Sequence, residues 1–222
     1  MKPDSKKQNA VKIIELLRKE YPDAKPGLDF QNAFQLLIST ILSAQCTDER
    51  VNIVTKTLFK KYRKPQDFVN VPSEELEKDI FSTGFYRQKA KSIKQCCLAL
   101  INDYKGNVPA DFDALTKLPG VGRKTASVVA GNAFGIPAFA VDTHVKRLSN
   151  LMGFIKSDDP EKIELKLKEL LPEGDWVRGS HLLAAHGRKI CIARRPKCPE
   201  CVAGKYCPSF NPYDGLKTKE KK

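Results

Sequence analysis

The sequence predicts an all-α fold, on three observations. Apolar residues recur at helical spacing through most of the chain. No segment alternates apolar and polar residues well enough to make a strand. Pro22, Gly106, Pro109 and Gly153 fall at the ends of the periodic stretches, where helix breakers belong.

Taken in order, residues 6–21 read as a helix carrying Val11, Ile13, Ile14, Leu16 and Leu17, closed by Pro22. A turn-rich link, YPDAKPGLD, follows. Residues 32–44 then place Phe34, Leu37, Ile38, Ile41 and Leu42 at i, i+3, i+4, i+7 and i+8, one face of a helix. Ser43-Ala44-Gln45-Cys46-Thr47-Asp48 is polar punctuation. Thr47 can cap the next helix, with Asp48 and Glu49 in its first turn and Lys60 and Lys61 at its end, each sign suiting the helix dipole. Pro72-Ser-Glu-Glu begins another helix, ending near Phe81. Ser82 to Ala90 forms a loop and a helix start, and residues 87–104 continue that helix. Beyond the central stretch described below, His144–Leu151, Pro160–Leu171 and Trp176–Ile190 read as helices. His181 and His186 lie five apart, so they do not form an i, i+4 metal pair and read as packing or hydrogen-bonding residues. There is no repeat of 20–50 residues. The tail after Pro208 is polar and basic, ending KTKEKK, and is expected to be disordered.

The 222 residues suffice for one large domain or two small ones, and 41% apolar residues can build a core. Lys and Arg number 39 against 26 Asp and Glu, a net charge of +13, which calls for a polyanionic partner such as nucleic acid or an anionic membrane. The membrane is the weaker choice. The most apolar stretch, Ala126–Val141, is broken by Asn132, Gly135 and Pro137 and falls short of the roughly 20 residues of a span. MKPDSKKQNA lacks the apolar run of a signal peptide, so a cytoplasmic protein is expected.

Residues 112–148 concentrate the chemistry. Leu118-Pro119-Gly120-Val121-Gly122 is a tight turn between two helical patterns. Pro119 fixes its own φ and disfavours helix at Leu118, while Gly120 and Gly122 permit positive φ and close approach. The helix that follows opens on amides without internal partners, which suit a phosphate oxygen. This is not a P-loop, because no strand precedes it and Lys-Thr lacks the four-residue lead. A turn used only for packing remains the alternative. Lys124 sits in the first turn of that helix beside Arg123. The dipole and the neighbouring cation both disfavour an ammonium there, the direction needed for an amine that forms a Schiff base. A solvated lysine touching phosphate is the other reading.

The seven cysteines fall into two groups. Cys46, Cys96 and Cys97 lie in apolar helical surroundings and are expected to be reduced core thiols. Cys191-x6-Cys198-x2-Cys201-x5-Cys207 puts four soft ligands in one short stretch. They could hold zinc or a [4Fe-4S] cluster, and chemistry alone does not separate the two. Two disulfides would not suit an intracellular chain. Arg188, Lys189, Arg194, Arg195 and Lys197 surround the group and could face phosphate.

Leu118-Pro-Gly-Val-Gly-Arg-Lys-Thr-Ala126, followed by Val141-Asp-Thr-His-Val145, resembles the helix-hairpin-helix and catalytic loop of the endonuclease III family of DNA glycosylases. The resemblance runs from about Phe34 to Cys207. It implies a two-lobed helix-hairpin-helix DNA glycosylase fold. A six-helix lobe of residues 26–136 would carry the hairpin at 118–122, and a second lobe of residues 1–25 plus 137–222 would carry the iron–sulfur loop 191–207. DNA would bind across the cleft between them. Lys124 would attack C1′ of the damaged nucleotide with Asp142 assisting. Gly120, Val121, Gly122, Arg123 and His144 would contact DNA. Gln45, in a Ser-Ala-Gln-x-Thr-Asp segment like the family's, would enter the space vacated by the flipped nucleotide. Phe85 stands where the family usually shows Leu, and either wedges between bases or packs into the core. The x6-x2-x5 spacing is that of the family's [4Fe-4S] site, with Cys191, Cys198, Cys201 and Cys207 as ligands. The activity implied is removal of oxidised pyrimidines from double-stranded DNA and cleavage of abasic sites by β-elimination, by a monomer associated with the nucleoid. Two other classes remain: a non-catalytic helix-hairpin-helix DNA-binding module, and an iron–sulfur electron carrier that would leave the +13 charge and Lys124 unexplained.

Overall fold

A computed structural model describes residues 3–212. The tail KTKEKK, expected to be disordered, lies outside them. Among the described residues every regular element is helical. The chain divides into two compact units, one formed by Pro26–Ala138 and the other by Met1–Lys25 with Phe139–Lys222. Each has its own apolar core.

The discontinuous unit opens with α1 (Pro3–Glu20), which starts three residues before the stretch read as helix from the sequence. The Pro26–Ala138 unit holds α2 (Ala33–Leu42), α3 (Asp48–Lys61), α4 (Pro65–Asn70), α5 (Ser73–Ile80), α6 (Tyr86–Tyr104), α7 (Phe112–Lys117) and α8 (Arg123–Phe134). That is one α-helix more than the six implied by resemblance, because α4 and α7 are each only six residues long. The helix α2 lies at the centre of this unit. Residues 36–42 are buried throughout, so its apolar surface is broader than the single face read from the sequence. Its buried Thr40 is satisfied within the helix, donating to Leu36 O at 2.7 Å. Each of its fully buried Leu and Ile side chains contributes about 1.5–3 kcal/mol. Thr47 caps α3 as expected, accepting from Arg50 N at 3.2 Å. The short α4 is fixed at its start by Pro65 and by Asp67, whose carboxylate accepts from Arg63 N and Lys64 N. Cys96 and Cys97 are buried on α6, and burial pushes the Cys96 thiol up to about 12. Cys46 lies half-buried in the α2–α3 loop, at the edge of the core and packed against it.

The other unit completes itself with α9 (Thr143–Leu151), α10 (Pro160–Leu170) and α11 (Trp176–Lys189). Ile13, Ile14 and Leu17 of α1 join a core with Phe139, Leu148, Leu167 and Leu182. Asp159 caps α10, accepting from Glu161 N at 2.9 Å, and Pro160 takes the first helical position.

Candidate active site

The hairpin joins α7 to α8. Leu118 and Val121 are buried, at 4% and 5% exposure, and anchor the turn in the core of its unit. Val121 N donates to Leu118 O at 3.1 Å, closing the turn. Val121 therefore has its side chain in the core and its amide engaged within the turn. Gly120 has φ +75, and an added Cβ would stand 2.8 Å from Ser92 Cβ on α6, so conformation and packing both require glycine. Gly122 is different. Its φ is −83, and no atom lies within 4 Å of where a Cβ would be. Among the described residues neither conformation nor packing requires glycine there. The α8 helix starts immediately after it with no side-chain cap. Arg123 lies with its guanidinium carbon 5.1 Å from the Phe112 ring centroid, and Lys124 is exposed on the first turn.

Asp142 belongs to the other unit, as the N-cap of α9. One carboxylate oxygen, Oδ1, accepts from Val145 N at 2.7 Å, which orients the group on a helix N-terminus where the dipole favours an anion. His144 is half-buried, its ring so close to Gly187 of α11 that a Cβ there would meet His144 Nδ1 at 3.0 Å. Burial pushes the His144 imidazole below its ordinary value; the Asp142 charge opposes that, and Arg147 and Arg188 reinforce it. His181 is held at about 4 by burial and then by Arg188, again with Asp142 opposing. Asp142 therefore shares its electrostatic surroundings with two imidazoles and an arginine. The sequence read His181 as a packing or hydrogen-bonding residue, and no local spacing links it to Asp142.

Gln45 and Phe85 lie in the Pro26–Ala138 unit with left-handed backbone, at φ 53 and φ 49. Neither is glycine, so each conformation costs about 1–2 kcal/mol. Both side chains are exposed, Phe85 by 65%, which removes the alternative in which Phe85 fills the core.

The four C-terminal cysteines line a single cavity of about 160 Å³, with His186 and Met152 among its other walls. Burial pushes the thiols of Cys191, Cys201 and Cys207 up, Cys201 to about 11. Among the described residues no three His, Cys, Asp or Glu side chains converge on one ion position. The buried His186 bridges inward, with Nε2 3.3 Å from Cys201 Sγ and Nδ1 3.0 Å from the Tyr21 hydroxyl. This is the hydrogen-bonding role expected for it. Arg147 donates to the main-chain oxygens of Gly187 and Cys191. Gly204 lies under Phe210, where a Cβ would come 2.7 Å from the ring. Arg188, Lys189, Arg194, Arg195 and Lys197 are all exposed around the loop.

This all-helical arrangement, with a glycine turn feeding α8 and four cysteines around one cavity, has counterparts among known proteins. Residues 38–173 match the HhH-GPD superfamily base excision DNA repair protein family. Endonuclease III of Synechocystis sp. is 49% identical over 92% of this chain and 94% of its own length, and that of Escherichia coli is 39% identical over 90% and 95%. A solved endonuclease III trapped as a covalent intermediate with DNA superposes with a TM-score of 0.89 at 48% identity, covering 92% of this chain and 96% of that one. A thermostable thymine-DNA glycosylase gives 0.82 at 28% identity, over 93% and 97%. The chain belongs to the endonuclease III family of base excision DNA repair enzymes. Neither a non-catalytic module nor an electron carrier is favoured by that membership. Among the described residues no helix is long and apolar enough to cross a membrane.

Proposed function

We propose that Lys124 is the nucleophile of a bifunctional DNA glycosylase and abasic-site lyase acting on oxidised pyrimidines in double-stranded DNA. The observation that carries this reading is an exposed amine on the first turn of α8, two residues after a glycine whose open side no described residue fills. The neutral amine of Lys124 attacks C1′, the C1′–N bond breaks, and the base leaves with a proton. The C1′–O4′ bond then opens, O4′ takes a proton, and the resulting iminium acidifies the 2′ proton. Its loss breaks the C3′–O bond, so the strand is cut on the 3′ side, and water then releases the lysine. Asp142, held through one oxygen, keeps its other oxygen for the positive charge that develops at the sugar. The covalent DNA intermediate of a related endonuclease III supports a nucleophile of this kind.

Gly122 and the first turn of α8 offer main-chain amides to a phosphate, with Gly120 shaping the turn and Arg123 adding charge. His144, in the first turn of α9, contacts the backbone near Asp142. Phe85 opens the base stack and Gln45 fills the gap left by the everted nucleotide. Cys191, Cys198, Cys201 and Cys207 hold a [4Fe-4S] cluster. A roomy cavity walled by four soft donors fits a multi-atom cluster better than one zinc, which draws its sulfurs in to about 2.3 Å. When bound, the cluster supplies iron–thiolate bonds that tie down the loop. The surrounding cations present that loop to phosphate.

Borohydride trapping tests the assignment. The wild-type protein yields a covalent adduct with DNA carrying an oxidised pyrimidine, whereas Lys124→Gln binds the same DNA and yields none. Undiminished trapping would show that another amine reacts. In the same assay Asp142→Asn lowers the single-turnover rate by about two orders of magnitude; a near-normal rate would remove the carboxylate from the mechanism.

A further inference from the structure

We infer that Lys89 is the positioning residue that fixes the Gln45 and Phe85 loops against each other for base extrusion; the inference rests on the glycosylase reading above. Lys89 stands in a basic, exposed-looking run at the start of α6, yet only 5% of it is exposed. Its Nζ donates to Leu42 O and to Thr83 O, each at 2.8 Å. Leu42 ends α2, three residues before Gln45. Thr83 ends the 3₁₀ turn Phe81–Thr83, two residues before Phe85. The amide of Lys89 also donates to Phe85 O at 3.0 Å. One residue thus grips both loops and the wedge itself, all within the Pro26–Ala138 unit.

A carbonyl at the end of a helix can be satisfied by water, so no packing need calls for a buried cation here. Desolvation opposes it and pushes the Lys89 ammonium towards its neutral form. What the cation holds in place is unusual backbone. Among the described residues only Gln45, Phe85 and Lys105 combine a side chain with positive φ. Lys105 merely ends α6. The other two lie three and two residues beyond the carbonyls that Lys89 holds, and both have exposed side chains. Strained, exposed and anchored from beneath, the pair is set for a ligand outside the chain. Holding both loops with one ammonium fixes their separation, so the wedge and the residue that fills the gap act together.

The test uses the full chain with its cluster. Lys89→Met keeps the apolar stem and removes the donors. Single-turnover rates are measured on duplexes carrying either an oxidised pyrimidine or a preformed abasic site, with 2-aminopurine opposite the lesion reporting disruption of the stack. Loss of positioning lowers the rate on the base lesion at least roughly tenfold and removes the fluorescence rise. Abasic-site cleavage, which has no base to extrude, stays within about threefold. Adding Phe85→Ala to Lys89→Met then has far less effect than Phe85→Ala alone, because both act on one step. Equal loss on both substrates, an unchanged ratio, or full additivity would overturn the inference. If Lys89→Met does not fold, Lys89→Gln, which keeps a donor without the charge, takes its place. Failure of both to fold would show that Lys89 serves the fold alone. Wild-type protein inactive on both substrates would instead defeat the glycosylase reading.

Discussion

Gly120 and Gly122 stand two residues apart and are glycine for different reasons. At Gly120 an alanine would meet both a left-handed backbone and Ser92 at 2.8 Å, so Gly120→Ala should lose about 3 kcal/mol in urea unfolding. At Gly122 an alanine meets nothing, so Gly122→Ala should unfold within about 1 kcal/mol of wild type. Its methyl group would still stand before the first amides of α8, so anisotropy titrations should show DNA bound about tenfold more weakly. Equal destabilisation by the two changes would mean that Gly122 serves the turn rather than a ligand. The sequence shows both glycines but not which one the fold needs, because that depends on Ser92, far away in the chain. Lys89 was hidden for a similar reason. Lysine in a basic run reads as solvated, and only tertiary contacts reveal that it is buried. The left-handed backbones of Gln45 and Phe85 carry no local signal at all, since neither residue type favours that region.

Among the elements, helices with a strong period or a good cap were legible. The face of α2, the Thr47 cap of α3 and the Pro160 start of α10 follow from local chemistry. The α4 helix was not, because six residues are too few to show a period, although Pro65 at its first position was an available signal. The loop that carries the four C-terminal cysteines is an element without a core of its own. From Ile192 to Tyr206 only Ala203 and Gly204 are buried, too little apolar surface to order the segment alone. On the proposed [4Fe-4S] reading, Cys198→Ser should therefore abolish visible absorbance and speed hydrogen exchange across residues 191–207. Protection in the Pro26–Ala138 unit should be unchanged. Unaltered exchange in the loop would show that it orders without metal.

For the whole molecule, the charge of +13 predicts how binding responds to salt. An interface dominated by phosphates releases counterions, so log affinity should fall against log salt with a slope of about −4 to −6. A slope near zero would place the basic residues elsewhere than on the DNA. Two apolar cores, rather than one, are the other property at this scale. Composition left one large domain and two small ones equally open, because apolar content does not say how a core is divided.

The discontinuous unit has a consequence for biosynthesis. The α1 helix is translated before the Pro26–Ala138 unit, but it packs on α10 and α11, which are translated only after that whole unit. At roughly 5–20 residues per second, α1 waits on the order of ten seconds or more for its partners. The Pro26–Ala138 unit can mature during that interval, while nascent α1 keeps Ile13, Ile14 and Leu17 uncovered, a target for chaperones until α10 and α11 emerge.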